Sequence, residues 1–136
     1  MISKETALKI NLVVLFLAGL MDINRGIAHT FRVRHSAINL AGIAPIPDSL
    51  VLMGAFGISN FLTGFIYFLI FWKAKHLAPY VLFLIPVSYL IGGMGMTYQN
   101  VKGEGQFIGQ YMMAVYLAIC LLASLIYLLT RKKNVN

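Results

Sequence analysis

The stretch Ser49–Trp72, SLVLMGAFGISNFLTGFIYFLIFW, runs for 24 residues without a charge. As a helix rising 1.5 Å per residue it reaches about 36 Å, enough to cross a hydrocarbon core of about 30 Å with some tilt. The PIPDS in front of it reads as its start. Pro47 disfavours helix before it, and Asp48 or Ser49 can cap the first free backbone N–H groups.

Outward from this run, two others have the same character. Leu77–Tyr98 is LAPYVLFLIPVSYLIGGMGMTY, with Pro79 placed for a first helical turn and Pro86 in mid-span. A proline there removes a backbone hydrogen bond, which predicts a kink. Phe107–Thr130, FIGQYMMAVYLAICLLASLIYLLT, is again uncharged. The connectors KAKHLAP and QNVKGEGQ are so short that each pair of spans they join is expected to lie antiparallel and adjacent. The first apolar run, Ile10–Met21, is too short alone and spans only with polar neighbours included, over about 6–30. Lys4 and Lys9 before an apolar core also fit a signal peptide. LAGLMDINRG lacks a small-x-small cleavage site, so an uncleaved span is expected. The segment 35–47, HSAINLAGIAPIP, is expected to lie at the membrane interface, because irregular backbone deeper in lipid needs protein cover.

Composition agrees with these runs. Of 136 residues 60% are hydrophobic and 11% charged, with a mean hydropathy of +0.81. A soluble domain averages about half apolar and a quarter charged, so this chain lacks the polar surface to cover a water-soluble globule. The reading is an all-α polytopic membrane protein. It forms one domain over 1–136, an up-down bundle of four transmembrane helices at about 6–30, 49–72, 77–98 and 107–130. The lipid bilayer is its first partner. The net charge of +7 does not imply nucleic acid, because the basic residues punctuate the ends of apolar runs instead of forming one patch. The lone Cys120 excludes an intrachain disulfide and reads as a small packing hydrophobe.

With the N-terminus inside, Lys4, Lys9, Lys73, Lys75, Arg131, Lys132 and Lys133 fall on the cytoplasmic side. Arg25, Arg32, Arg34 and Lys102 fall outside, with Asp22, Asp48 and Glu104. The excess of basic residues puts both termini in the cytoplasm, and a cell membrane is the expected location.

MDINRGIAHTFRVRH, Met21–His35, is where a site is expected. If the first helix continues past Met21, Asp22, Arg25, His29 and Arg32 fall within about 80° of arc, with Arg25 the nearer partner of Asp22. Ionised groups at membrane depth cost about 2.5–3.5 kcal/mol each and therefore face protein, water or headgroups. The bland alternative is that the arginines reach to phosphates. Gln110, one turn into the last span, with Thr97–Asn100, Glu104 and Gln106, is expected to complete an outward-facing polar mouth. In the second span Gly57, Asn60 and Gly64 share one face. Small residues admit a neighbouring backbone there and the amide can bond to it, so this face reads as helix packing. No residue is assigned as catalytic. His29 and His35 are six apart, and there is no His-x-x-x-His or Glu-x-x-His pair, so no metal site and no two-histidine haem is read, and no cofactor is specified.

Two family resemblances attach to particular residues. FRVRHSAINLAGIAP resembles the Arg-rich, Asn-containing helix of the MAPEG glutathione-handling membrane enzymes at Arg32, Arg34 and Asn39. The acidic residue that should follow the Asn is replaced by LAGIAP. Gly54–Gly95 resembles the DoxX-like small four-helix membrane proteins through a glycine-marked helix, a short basic turn and LA opening the next span. That likeness implies an architecture, with accessory subunits of quinone-linked oxidoreductases among its members. Three functions follow as expectations. The first is a non-enzymatic accessory or assembly subunit or homo-oligomer, packed through the Gly57/Asn60/Gly64 face against other membrane subunits or itself. The second is a membrane enzyme or redox subunit holding a quinone, lipid or thiol at the outer mouth. The third is a small-solute or proton-coupled transporter using Asp22, His29 and the Pro86 kink.

Overall fold

In a computed structural model of the chain, the first apolar run and its polar continuation form one helix, α1 (Lys4–Thr30). The structure describes the backbone of residues 2–101 and 109–133 and the side chains of 2–101 and 111–130. The Ser3 hydroxyl starts α1 by accepting the Thr6 N–H at 3.1 Å. After Thr30 the chain turns through Phe31 and Arg32 into the short α2 (Val33–Ser36) and a π-helical turn, Ala37–Ala41. Gly42 ends that turn at φ 63°, in the left-handed region where a glycine carries no Cβ penalty. The Ser36 hydroxyl donates to the Ala28 carbonyl at 2.8 Å, which ties α2 back against the end of α1. The segment 35–47 is therefore mostly helical turns, followed by a stretch without regular structure to Ile46.

Helix α3 spans Pro47–Lys73 and begins two residues before the expected Ser49. Ile46 is extended and Pro47 occupies the first turn, where its missing N–H costs nothing. Neither Asp48 nor Ser49 is the cap. Ser49 donates its hydroxyl backwards to the carbonyls of Ala44 and Ile46, at 2.6 and 2.9 Å. A 3-10 turn, Lys75–Leu77, leads into α4 (Ala78–Tyr98), which runs through Pro86 as a continuous helix. It ends with Asn100 at φ 54°. The Val101 N–H closes onto the Met96 carbonyl at 3.0 Å and the Asn100 N–H onto Thr97 at 3.1 Å, a paired C-terminal cap. The last helix, α5, spans Gly109–Lys133. The described residues contain no strand, and four of their helices are long and apolar enough to cross a membrane.

α1 is the central helix because it has two distinct packing faces. Gly19 and Gly26 receive the rings of Phe68 and Phe61, and Gly57 and Gly64 of α3 receive Thr30 and Ile23 in return. These pairs run in opposite chain directions, so α1 and α3 are antiparallel and closely apposed. The other face of α1, through Ala7, Asn11, Leu15, Ala18 and Asp22, is buried. With Ala78, Leu82, Cys120 and Ala123 from α4 and α5, its apolar members form the core. The Asn11 amide donates across to the Ala123 carbonyl of α5 at 2.8 Å.

One expectation needs correcting. The short connector does not make α3 and α4 close neighbours, since α3 packs chiefly on α1, and α4 on α5 and α1. A tight turn fixes where two helices meet but not how their flanks pack, and α1 supplies the better complement to each. The C-terminal half of α4, Ser88–Tyr98, is exposed among the described residues.

Candidate functional site

Asp22 is the one carboxylate that α1 carries into the interior, at 5% exposure. It lies on the same stripe as Leu15 and Ala18, so the packing that makes the core also buries the acid. Two partners hold it. Thr63 of α3 donates its hydroxyl to one carboxylate oxygen at 2.8 Å, and an Arg25 Nη lies 3.5 Å from the other. The 3.5 Å contact is long for a charge-assisted hydrogen bond, so Arg25 is neighboured by Asp22 without being saturated by it.

Arg25 points towards α4 and α5. Its guanidinium carbon lies 5.4 Å from the centre of the Tyr116 ring, a cation–π distance, and one Nη is 4.0 Å from the Met113 sulfur. Tyr89 of α4, partly exposed, lies near the guanidinium. Tyr116 packs against the core that holds Tyr67 and Cys120. An acid, a guanidinium, a threonine hydroxyl and three tyrosines from four helices thus lie close together, level with the middles of α3 and α4. A guanidinium has five N–H donors, and Asp22 and the Met113 sulfur take only part of them. The arrangement can hold acceptor oxygens of a ligand at Arg25 and accept or hold a proton at Asp22.

The residues read from the sequence divide between this cluster and other places. Asp22 and Arg25 come together. His29 lies beside α3, with its Nδ1 3.4 Å from the Asn60 amide nitrogen and its ring 5.3 Å from that of Phe56. With the amide donating, Nδ1 is the acceptor and the ring proton is on Nε2. Arg32 does not share the Asp22 face. The helix ends at Thr30, and the turn that follows swings Arg32 into an exposed position. Gln110 is in the first turn of α5, but its side chain, like all of Glu104 and Gln106, lies outside the described residues. Thr97–Asn100 are exposed and do not converge on Asp22. Gly57, Asn60 and Gly64 are all buried against α1 of the same chain.

Sequence reasoning missed Tyr89, Tyr116 and Asn11. The usable signal was helical phase. Asn11 and Asp22 are eleven residues apart, about three turns, and so share a face. Both Asn11 and Ser124 are fully buried, and Asn11 Oδ1 and Ser124 Oγ have no hydrogen-bond partner among the described residues. The fully buried, apolar Leu15 and Leu82 lie in the same core, between these groups and Asp22 along α1 and within the first half of α4.

No protein-family model, no curated protein and no solved structure matches this chain.

Proposed function

We propose that this chain is an integral membrane protein threaded four times up and down through a bilayer, with both termini in the cytoplasm, that holds the polar head of a membrane-soluble ligand at Arg25 and Asp22. The likeness of Gly54–Gly95 to DoxX-like proteins points to the same architecture. The observation that carries the reading is the burial of Asp22 beside an unsaturated Arg25, among hydroxyls from three other helices. Charge at membrane depth is costly, and where it faces a bundle interior it marks ligand and ion sites. A quinone, a lipid or a thiol compound supplies the acceptor atoms such a site takes. The apolar layer of Leu15 and Leu82 favours a site closed towards the cytoplasm over a path for transport.

The test is extraction and mass spectrometry of what the full chain retains after purification in mild detergent. The expected result is a lipid-soluble compound that is retained by the wild type and lost from Arg25→Gln and Asp22→Asn. A chain that retains nothing, and binds no added quinone, phospholipid or thiol, sinks the proposal.

One observation favours a second reading, that of an assembly subunit. The face expected to meet other subunits is occupied by α1, but α4 has open space beside its three glycines among the described residues. A Cβ added at Gly92, Gly93 or Gly95 would meet nothing within 4 Å. Disulfide crosslinking of Gly92→Cys in native membranes, in a Cys120→Ala background, would show a second copy there. Absence of any crosslinked species or partner rejects that reading.

A further inference from the structure

Arg32, Arg34 and His35 stand where the chain leaves α1 and turns through α2 towards α3. All three are exposed, and neither arginine belongs to an ion pair among the described residues. Asp48 is the only acid between Arg32 and the end of α3. The Asn39 amide donates to the His35 carbonyl at 3.1 Å and to its Nδ1 at 3.2 Å, which leaves the ring proton on Nε2 as a further donor. Beside these groups Phe31 is 80% exposed, Ile38 51% and Leu40 45%.

This surface is held in place. Thr30, the last residue of α1, packs on Gly57, ten residues into α3. The connecting chain therefore returns about 15 Å along α3, with α2 and the π-helical turn against that helix. Its level follows from α4, which runs parallel to α1. Tyr89 of α4 lies near the Arg25 guanidinium. α4 continues nine residues from Tyr89 to its end at Tyr98, and Arg32 is seven residues on from Arg25. Arg32 thus stands at about the level where α4 stops, at an exposed tyrosine followed by the polar Gln99 and Asn100. Aromatic side chains at span ends mark the boundary between hydrocarbon and water.

We propose that this end of the bundle is a docking surface for anionic phospholipid headgroups. The Arg32 and Arg34 guanidinium groups and the His35 Nε2–H donate to phosphate oxygens, while Phe31, Ile38 and Leu40 enter the acyl boundary. Charge complementarity and the apolar flanks together select the occupant. A free phosphate ion would meet the cations and leave three apolar side chains in water.

Quenching by brominated lipids tests it. The full chain carries Phe31→Trp in a Trp72→Phe background, with Ile38→Trp as a second reporter should the first fail to fold. It is reconstituted in phosphatidylcholine vesicles that hold a minor fraction of brominated phosphatidylglycerol or the same fraction of brominated phosphatidylcholine. The brominated phosphatidylglycerol should quench about fivefold more effectively, the enrichment of one basic residue near an anionic surface. Arg32→Gln with Arg34→Gln should bring the ratio to about one. Arg32→Lys with Arg34→Lys should keep the preference, which separates lost charge from lost fold. Lys75→Gln, at the opposite end of the bundle, should keep it as well. Equal quenching by the two lipids before the arginines are changed would mean an unselective annulus and overturn the proposal, as would a preference that survives the paired glutamines. A tryptophan that neither lipid quenches would show this face covered by a second copy or another protein and overturn it too.

Discussion

At the scale of single residues the α1–α3 contact is decided by glycines. A Cβ on Gly64 would come within 2.9 Å of the Ile23 side chain and 3.1 Å of the Gly19 carbonyl oxygen, which is backbone and cannot yield. Gly64→Val should therefore destabilise the protein by about 1–3 kcal/mol, read by thermal or denaturant unfolding in detergent. Gly92→Ala meets nothing and should be neutral or stabilising by up to about 1 kcal/mol through helix propensity. Equal losses at the two positions would contradict the packing described. The Asp22–Arg25 pair gives a second measurement. Removing one partner strands a buried charge, which costs about 3–5 kcal/mol, whereas removing both removes the charge problem. Asp22→Asn combined with Arg25→Gln should be less destabilised than the sum of the single variants, as a double-mutant cycle would show. Simple additivity would mean that the pair does not interact. In the sequence Asp22 and Arg25 were legible as a pair because three residues on a helix always bring two side chains together. Tyr89 and Tyr116 were not, because a tyrosine in an apolar run has the same pattern whether it faces lipid or the core.

At the scale of the helix, local signals were readable where they were covalent or periodic and failed where tertiary contact decided. The apolar runs located α1, α3, α4 and α5 to within a few residues, since the length needed to cross hydrocarbon leaves little freedom. The break after Thr30 was not readable. No proline or glycine stands there, and the turn is held by the Ser36 hydroxyl reaching the Ala28 carbonyl. That contact removed Arg32 from the constellation its spacing suggested. Helix α4 continues through Pro86, with its buried residues in the first half and an exposed second half. Between helices, Asn11 is a polar link in an apolar seam, joined to Ala7 and Ala123 carbonyls at 2.8 Å each. Such interhelical bonds contribute about 0.6 kcal/mol on average and up to about 1.7 in membranes. Asn11→Leu should lose an amount in that range in detergent unfolding. A gain would show that the unpartnered amide oxygen costs more than the bonds return.

At the scale of the molecule the connector fixed sequence neighbours but not spatial ones. α1 joins α3 on one side to α4 and α5 on the other, while α3 and α4 barely touch. The chain should therefore tolerate a break at the Lys75–Leu77 turn. Fragments 1–74 and 75–136, co-expressed, should co-purify in detergent, because the contacts that join them come from α1. Failure to reassemble, with each fragment inserted, would show that the turn itself carries the union. The same proteins should resist extraction by carbonate, as expected of a chain whose long helices expose Val51, Leu52, Ile58 and Leu90 at 65–72%.

The central place of α1 has a consequence for biogenesis. It leaves the ribosome before α3, α4 and α5, yet the groups it buries are matched by residues of those helices. Asp22 waits for Thr63, Arg25 for Tyr89 and Tyr116, and Asn11 for Ala123. A nascent chain stalled before α5 would hold a guanidinium without its aromatic cover. Such a state is costly at membrane depth, so α1 gains its full complement of partners only when α5 is in place.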